Sequence, residues 1–426
     1  MKYPKDTYRL YESEALIATS MCVRIALKEE VDIEALKKAA NEAIKRYPYF
    51  AVEVSLDKDG AYTLQHNPRP IVAMRKQGKP PLLGSEQANR HLCFIEVSGK
   101  LAYFYLCHSI AGGKSITPWV MSILYYYVEF RYGKTLEGKG IRKVGEPFLP
   151  GEIEEPSLEM LTLEPPNSPT PSAKPALMLA DYINGLFNPF KRRPNYHVYE
   201  FAQSDVLRLA KENNASVVSL FQILIARSLD HVLAKKHKVI GAETSHNPSS
   251  DIGLPYSHLD LHSMVYVDFD RERLQGELKD LGTYARSEIK CQTDPRYSHA
   301  ALRPLFETYA KLDKIKGLKE KRAFMKKNSP SRGKSARHST FVCNYVGQYD
   351  WGELTAYVEE YEIVVDGHLV FEITSIGEKI FLSQMQLLAT EKYVRALESE
   401  FGQVGLSYVH KGPFPKMLPK HLLPKE

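Results

Sequence analysis

The stretch Cys107-His-Ser-Ile-Ala-Gly-Gly-Lys-Ser115 is the part of this sequence best suited to chemistry. It follows an apolar, strand-like run and precedes a run that favours helix. A histidine at the mouth of a strand, beside backbone freed by two glycines, suits a general base, because imidazole titrates near neutral pH and can take a proton and return it. The plainer reading of His108 is a structural histidine in a tight turn, and a single His leaves both open. Gly113-Lys-Ser115 also ends like a phosphate-binding loop. The first glycine of G-x-x-x-x-G-K-[ST] would fall at His108, however, where a Cβ keeps the backbone from curling around phosphate, so nucleotide hydrolysis is not expected. Cys107 has no neighbour in sequence that would lower its thiol pKa, and it reads as a small strand-end residue rather than a nucleophile. His246, His258 and His262 fall in a turn-rich stretch as H-x₁₁-H-x₃-H, which defines no metal site; they read as loop or wall residues, and no metal is expected.

The elements that must position His108 follow from periodicity. Residues 18–27 are apolar and strand-like. Ile33, Leu36, Ala40, Ala43, Ile44 and Tyr47 then recur at helical spacing behind Asp32, a candidate N-cap, and Pro48 closes that helix. Strands are predicted at 50–54 and 62–65 around the turn Asp57-Lys-Asp-Gly60, and at 92–97 and 101–106 around Ser98-Gly-Lys100. A helix is predicted at 118–131, with Pro118 in its first turn. Beyond a proline-rich stretch the pattern restarts. Strands are predicted near 196–201, 239–244, 264–269, 340–345, 369–374 and 380–385, with helices after Ser204 and at 217–233, 271–290, 301–327 and 391–402. Strand and helix mix in both halves, so the class is α/β or α+β.

The chain of 426 residues is 43% hydrophobic and 25% charged, an ordinary globular composition long enough for two large subdomains. Ten of the 26 prolines lie within 147–194, and the division drawn is 1–164, a linker at 165–195, and 196–426. No apolar run reaches the roughly 18–20 residues of a membrane span, and no secretory leader is evident at the N-terminus. Five scattered cysteines without C-x-x-C spacing argue against a disulfide framework or a zinc site, and a reducing cytoplasm fits. The net charge of +6 is concentrated: residues 311–338 carry eleven Lys/Arg and two acids. That run could meet a phosphate-bearing ligand, an acidic protein or nucleic acid, or be a solvated face; no nucleic-acid-binding motif accompanies it.

The loop at His108 resembles the HHxxxDG motif of the chloramphenicol acetyltransferase-like superfamily of CoA-dependent acyltransferases and condensation domains. Cys107 stands at the first His, His108 at the second, Gly112 at the Asp and Gly113 at the closing Gly. Asp32-x-x-x-Leu36-x-x-Ala39 followed by Lys45-Arg-Tyr-Pro-Tyr-Phe50 is similar to the family's first helix and its R-x-P-x-L ending. Thr340-Phe-Val-Cys-Asn-Tyr-Val-Gly347 is similar to the T-F-T-I-S-N-L-G strand of dihydrolipoyl acyltransferases, with a crossing segment expected near 340–356. The resemblance implies two similarly folded subdomains in a V with a tunnel between them, and His108 at its centre as general base. A serine that faces the reacting carbonyl in the family is matched here by Asn344, whose amide NH₂ would face the oxyanion. Ser115, Thr340 and Tyr345 are candidate tunnel residues.

By the same resemblance the reaction is acyl transfer from a thioester, acyl-CoA or carrier-bound, to an alcohol or amine. Acyl-CoA is then a co-substrate, no cofactor stays bound, and an acyl carrier protein is a possible partner. In the family the motif Asp pairs with an arginine and holds the loop, which Gly112 cannot do. That departure favours an alternative of a different class: a non-catalytic relative that binds a thioester, peptide or carrier protein.

Overall fold

The computed structural model describes residues 7–12, 20–166, 193–233, 239–328, 339–347 and 349–424. Most of the linker expected at 165–195 lies outside these residues. Among them, two large sheets organise two lobes.

The first sheet is built from β1 (Ser20–Leu27), β4 (Ala73–Arg75), β5 (Cys93–Ser98) and β6 (Leu101–Cys107), with the hairpin β2 (Val52–Leu56) and β3 (Tyr62–His66) beside it. The second contains β7 (Asn195–Ala202), β8 (Val239–His246), β9 (Ser263–Asp270), β10 (Phe341–Tyr345), β12 (Val370–Ile376), β13 (Lys379–Gln386) and β14 (Val409–Pro415), in the order β14-β7-β13-β12-β10-β8-β9. One strand from the C-terminal half, β11 (Val358–Val365), leaves its lobe and pairs antiparallel with β1 at the edge of the first sheet, giving the order β11-β1-β6-β5-β4. It follows directly on the 340–356 segment.

Charge pins the register of that crossing strand. Arg24 of β1 stands opposite Glu362 of β11 and bonds both Glu362 and Glu360, all three being buried. Lys411 of β14 bridges Glu360 to Glu200 of β7. A buried ion network costs desolvation, but a one-residue slip would leave several charges without partners, which makes the network a register lock.

Helix α1 (Ile33–Ala43) starts where Asp32 accepts from the backbone N–H of Glu34 and Ala35, and buries Ala35, Leu36, Ala39, Ala40 and Ala43 against the first sheet's core. In the second lobe the apolar helix α4 (Val217–Val232), preceded by α3 (Gln203–Glu212), begins with a reciprocal Ser216–Ser219 capping box and packs under the sheet. The helix expected at 301–327 is two helices, Pro295–Asp313 and Leu318–Asn328, broken at Gly317, whose φ of 88° is left-handed.

The helix after the motif departs from the sequence reading. α2 runs Gly113–Tyr132, so it begins five residues earlier than expected, and Pro118 lies inside it. A proline there cannot bond the carbonyl of residue 114. The Tyr349 hydroxyl donates to that carbonyl at 3.2 Å instead. A tertiary donor thus satisfies what local sequence treats as a helix boundary.

Candidate active site

His108 stands one residue past the end of β6, in the short loop before α2. It lines a cleft of about 700 Å³. The walls come from both lobes: the β6–α2 loop and β11 on one side, and the ends of β8, β10 and β12 with residues 260–264 on the other. A smaller cavity of about 270 Å³, beside the stacked rings of Tyr8 and Tyr309, shares Asp260, Leu261 and His262 with the cleft. The two hollows therefore meet at the segment beside His108.

The immediate neighbour of His108 is a residue the sequence reading did not single out. Its Nδ1 is buried and lies 3.3 Å from Oδ2 of Asp260, while 23% of the side chain stays exposed. Asp260 also receives Arg9 at 2.6 Å and lies 3.8 Å from Nδ1 of His262. Burial opposes ionisation of Asp260, but Arg9 first, then His108 and His262, outweigh it and hold the carboxyl well below the usual carboxylate range. Burial, reinforced by Arg9, pushes the His262 imidazole down. His421, carried in by a C-terminal segment that pairs with Leu83, is pushed down to about 4 by burial and by His108 nearby, and so stays neutral at physiological pH.

The two glycines of the motif serve a different purpose from the one their type suggests. Gly112 has φ −95° and ψ 178°, extended backbone open to any residue. Space is what excludes a side chain: a Cβ at 112 would lie 2.6 Å from Oδ1 and 3.2 Å from Cγ of Asp260. At Gly113 a Cβ would only touch Val346 at 3.4 Å. Cys107 is fully buried, and its sulfur accepts from the Ser109 N–H at 3.4 Å, which fits the strand-end role. Lys114 points its ammonium at Ser249 Oγ and the Pro255 carbonyl, 3.2 and 3.0 Å away, tying the helix start to the second lobe rather than cradling phosphate.

Asn344 also lines the cleft, from β10. Its Oδ1 accepts from the Ser245 N–H at 2.9 Å, and its Nδ2 donates to Glu372 at 2.8 Å. These bonds fix the amide and spend one of its two N–H groups. Burial pushes the Glu372 carboxyl up to about 7, against the opposing pull of the Asn344 hydrogen bond.

Of the expected tunnel residues, Tyr345 lines the cleft; Ser115 and Thr340 do not. The Ser115 hydroxyl turns to the Ser257 carbonyl at 3.5 Å, and Thr340 uses its hydroxyl to accept from the Gly241 N–H at 3.0 Å, behind the cleft. His246 and His262 are wall residues. His258 is buried, stacked on Tyr49 at 4.1 Å, with Nδ1 2.7 Å from the Glu152 carbonyl. Among the described residues no group of three or more His, Cys, Asp or Glu could hold a metal ion. In the basic run, Lys321 is buried with its ammonium on the Leu312 carbonyl, Arg322 donates to Tyr62, and Lys316 pairs with Asp59; residues 329–338 lie outside the described residues.

Arg46 of the Lys45-Arg-Tyr-Pro segment begins a chain of contacts that reaches the stretch just before Asp260. Arg46 grips Glu152 with two bonds of 2.9 Å, Tyr49 donates to the same carboxylate at 2.6 Å, and the Glu152 carbonyl holds His258, two residues before Asp260. Arg9 and Asp260 carried no local motif: they meet only when the chain's beginning and its second lobe come together.

No protein-family model matches the sequence, and no curated protein matches it. Solved structures do. Fusarium graminearum TRI101 complexed with coenzyme A and T-2 mycotoxin aligns over 96% of this chain and 100% of its own, with a TM-score of 0.59 at 10% identity. The trichothecene 15-O-acetyltransferase TRI3 from Fusarium sporotrichioides aligns over 95% of each chain, with a TM-score of 0.55 at 13% identity. The first condensation domain of the calcium-dependent antibiotic synthetase, in complex with a substrate analogue, covers 96% of this chain and 98% of its own, with a TM-score of 0.57 at 10% identity. The two lobes, the exchanged strand β11 and the cleft holding His108 therefore constitute the chloramphenicol acetyltransferase-like fold, shared with CoA-dependent acyltransferases and condensation domains.

Proposed function

We propose that this protein is an acyltransferase that moves an acyl group from a thioester, acyl-CoA or carrier-bound, to an alcohol or amine, with His108 as general base. The observation that carries the reading is the largely buried but still accessible His108 ring in a cleft between the lobes, backed on its buried Nδ1 edge by an ionised carboxylate. The acceptor hydroxyl or amine gives its proton to the free ring nitrogen as it attacks the thioester carbonyl. The C–S bond then breaks, and the same proton passes to the departing thiolate, so both substrates react in one cleft without an acyl-enzyme. The Asn344 N–H beyond the one used by Glu372 is the donor proposed for the tetrahedral oxyanion; such a donor supplies about 10²–10³ in rate.

The non-catalytic alternative rested on the missing motif carboxylate. Asp260 supplies a carboxylate at that position in space, which favours the enzyme. The cleft's size suits a small acceptor, and the neighbours' coenzyme A complexes support acyl-CoA as donor. An intracellular setting is consistent with five free cysteines, four of them buried. Among the described residues no single helix is long and apolar enough to cross a membrane.

The test is thiol release from acetyl-CoA and longer acyl-CoAs, and from acyl carrier protein, with an alcohol and amine panel. Acceptor-dependent release that disappears in His108→Ala supports the reading. Intact acyl-CoA binding with no release above His108→Ala from any donor overturns it in favour of the binder.

A further inference from the structure

We propose that Asp260 is the positioning residue of His108, and that it delivers from the second lobe the carboxylate that position 112 lacks. This rests on the reading of His108 as the base.

Three observations converge on it. The Asp260 carboxylate fills the volume a side chain at 112 would need, since Oδ1 and Cγ lie 2.6 and 3.2 Å from a Cβ built there. The backbone at 112 is extended and imposes no glycine, so the close approach of Asp260 is the reason for the residue. Finally, Oδ2 of Asp260 lies 3.3 Å from the buried Nδ1 of His108 and is itself held by Arg9 at 2.6 Å.

A carboxylate on that edge favours the neutral tautomer with the proton on Nδ1, leaving Nε2 with the lone pair that a base requires. The Nδ1 proton stays in place during turnover. Nε2 takes the acceptor's proton and returns it to the thiolate, and the imidazolium formed between those steps is stabilised by Asp260. His262, 3.8 Å from Oδ1, is the other titratable group facing the carboxylate, and Arg9 is the fixed cation. The arrangement also ties the base to the joining of the lobes, because Asp260 belongs to the segment entering β9 and His108 to the end of β6.

The experiment is ¹⁵N NMR of the His108 ring, with steady-state kinetics beside it, on the wild type, Asp260→Ala, Gly112→Asp and the double variant Gly112→Asp/Asp260→Gly. The expected result is a predominant Nδ1–H tautomer in the wild type that is lost in Asp260→Ala. With it, kcat should fall by about 10²-fold or more at nearly unchanged KM. The folded double variant should regain the Nδ1–H tautomer and at least tenfold of the lost kcat, because a carboxylate returns to the same space from the other side. An Nδ1–H tautomer that persists in Asp260→Ala, or a folded double variant that regains neither, overturns the proposal. Should the wild type turn over no thioester, the acyl-transfer reading falls, and the tautomer comparison still decides whether Asp260 positions His108.

Discussion

The Tyr349 hydroxyl donates to the backbone carbonyl of Lys114 at 3.2 Å, and it stands 3.5 Å from that of Gly113. Lys114 lies four residues before Pro118, so its carbonyl is the acceptor that proline leaves empty. A residue just before the crossing strand thereby completes the first turns of the helix that follows the motif. Burial pushes the Tyr349 phenol up to about 12, so it remains a donor across the physiological range.

Tyr349→Phe removes this donor and leaves the Lys114 carbonyl unsatisfied inside the protein. Stability should fall by about 1–2 kcal/mol, read as a lower urea midpoint with unchanged slope. Turnover should fall too, since α2 begins five residues after His108. An unchanged midpoint would mean that the tyrosine does not support the helix start.

Gly112→Ala and Gly112→Asp test the crowding at the motif. The alanine methyl would sit 2.6 Å from Asp260 Oδ1, so a shift of that carboxylate away from His108 is required. Gly112→Ala should cost about 1–3 kcal/mol and lower kcat more than it raises KM. Gly112→Asp, which adds a second negative charge beside Asp260, should be worse on both counts. Higher activity in either single variant would show that the space is not filled as described.

Arg46 and Glu152 form a buried bidentate pair. Burial works against the Glu152 carboxylate, but the Arg46 and Tyr49 hydrogen bonds, the Leu149 N–H and Arg142 hold its pKa below the usual value. A lowered folded pKa gives stability that is present above the unfolded pKa of about 4.3 and lost as pH falls through the folded value. Glu152→Gln should therefore flatten the acid limb of the stability curve below about pH 4. Arg46→Met should cost about 3–5 kcal/mol at neutral pH by leaving Glu152 uncompensated. Chemical denaturation across pH 3–7 reads both.

Glu372 has the opposite sign. Its folded pKa of about 7 lies above the unfolded value, so its contribution is fully present below about pH 4.3 and is lost as pH rises through 7. The loss is on the order of 3 kcal/mol. Glu372→Gln keeps an acceptor for Asn344 and removes the titration. The variant should be more stable than the wild type at pH 8, and that advantage should shrink as the pH is lowered to 4. Equal stability at pH 8 would show that Glu372 is ionised at little cost in the fold.

Much of the frame is written in local sequence. Alternation marks β1 and the β5–β6 hairpin to within one or two residues, and helical spacing marks the start of α1, although the α-helix stops at Ala43, four residues short of Tyr47; each element buries one face with the period of its own geometry. Asp32 caps α1 as its position suggests, and His108 sits at a strand mouth as its neighbours suggest. Where local signals and tertiary contacts compete, the contacts prevail. Pro118 reads as a first-turn residue, yet α2 starts at Gly113 because Tyr349 supplies the missing donor. Thr340 and Ser115 read as tunnel residues, yet their hydroxyls are used by Gly241 and Ser257.

The residue types and their order along the chain determined the two-lobed fold and placed an imidazole at the end of β6. The surroundings of that imidazole were decided only by the tertiary structure. Arg9, Gly112 and Asp260 share no spacing that could announce a contact, since they belong to the chain's beginning, the β6–α2 loop and the segment entering β9. Periodicity encodes which face of an element is buried; it carries no information about which distant carboxylate will come to rest 2.6 Å from where a missing side chain would have begun.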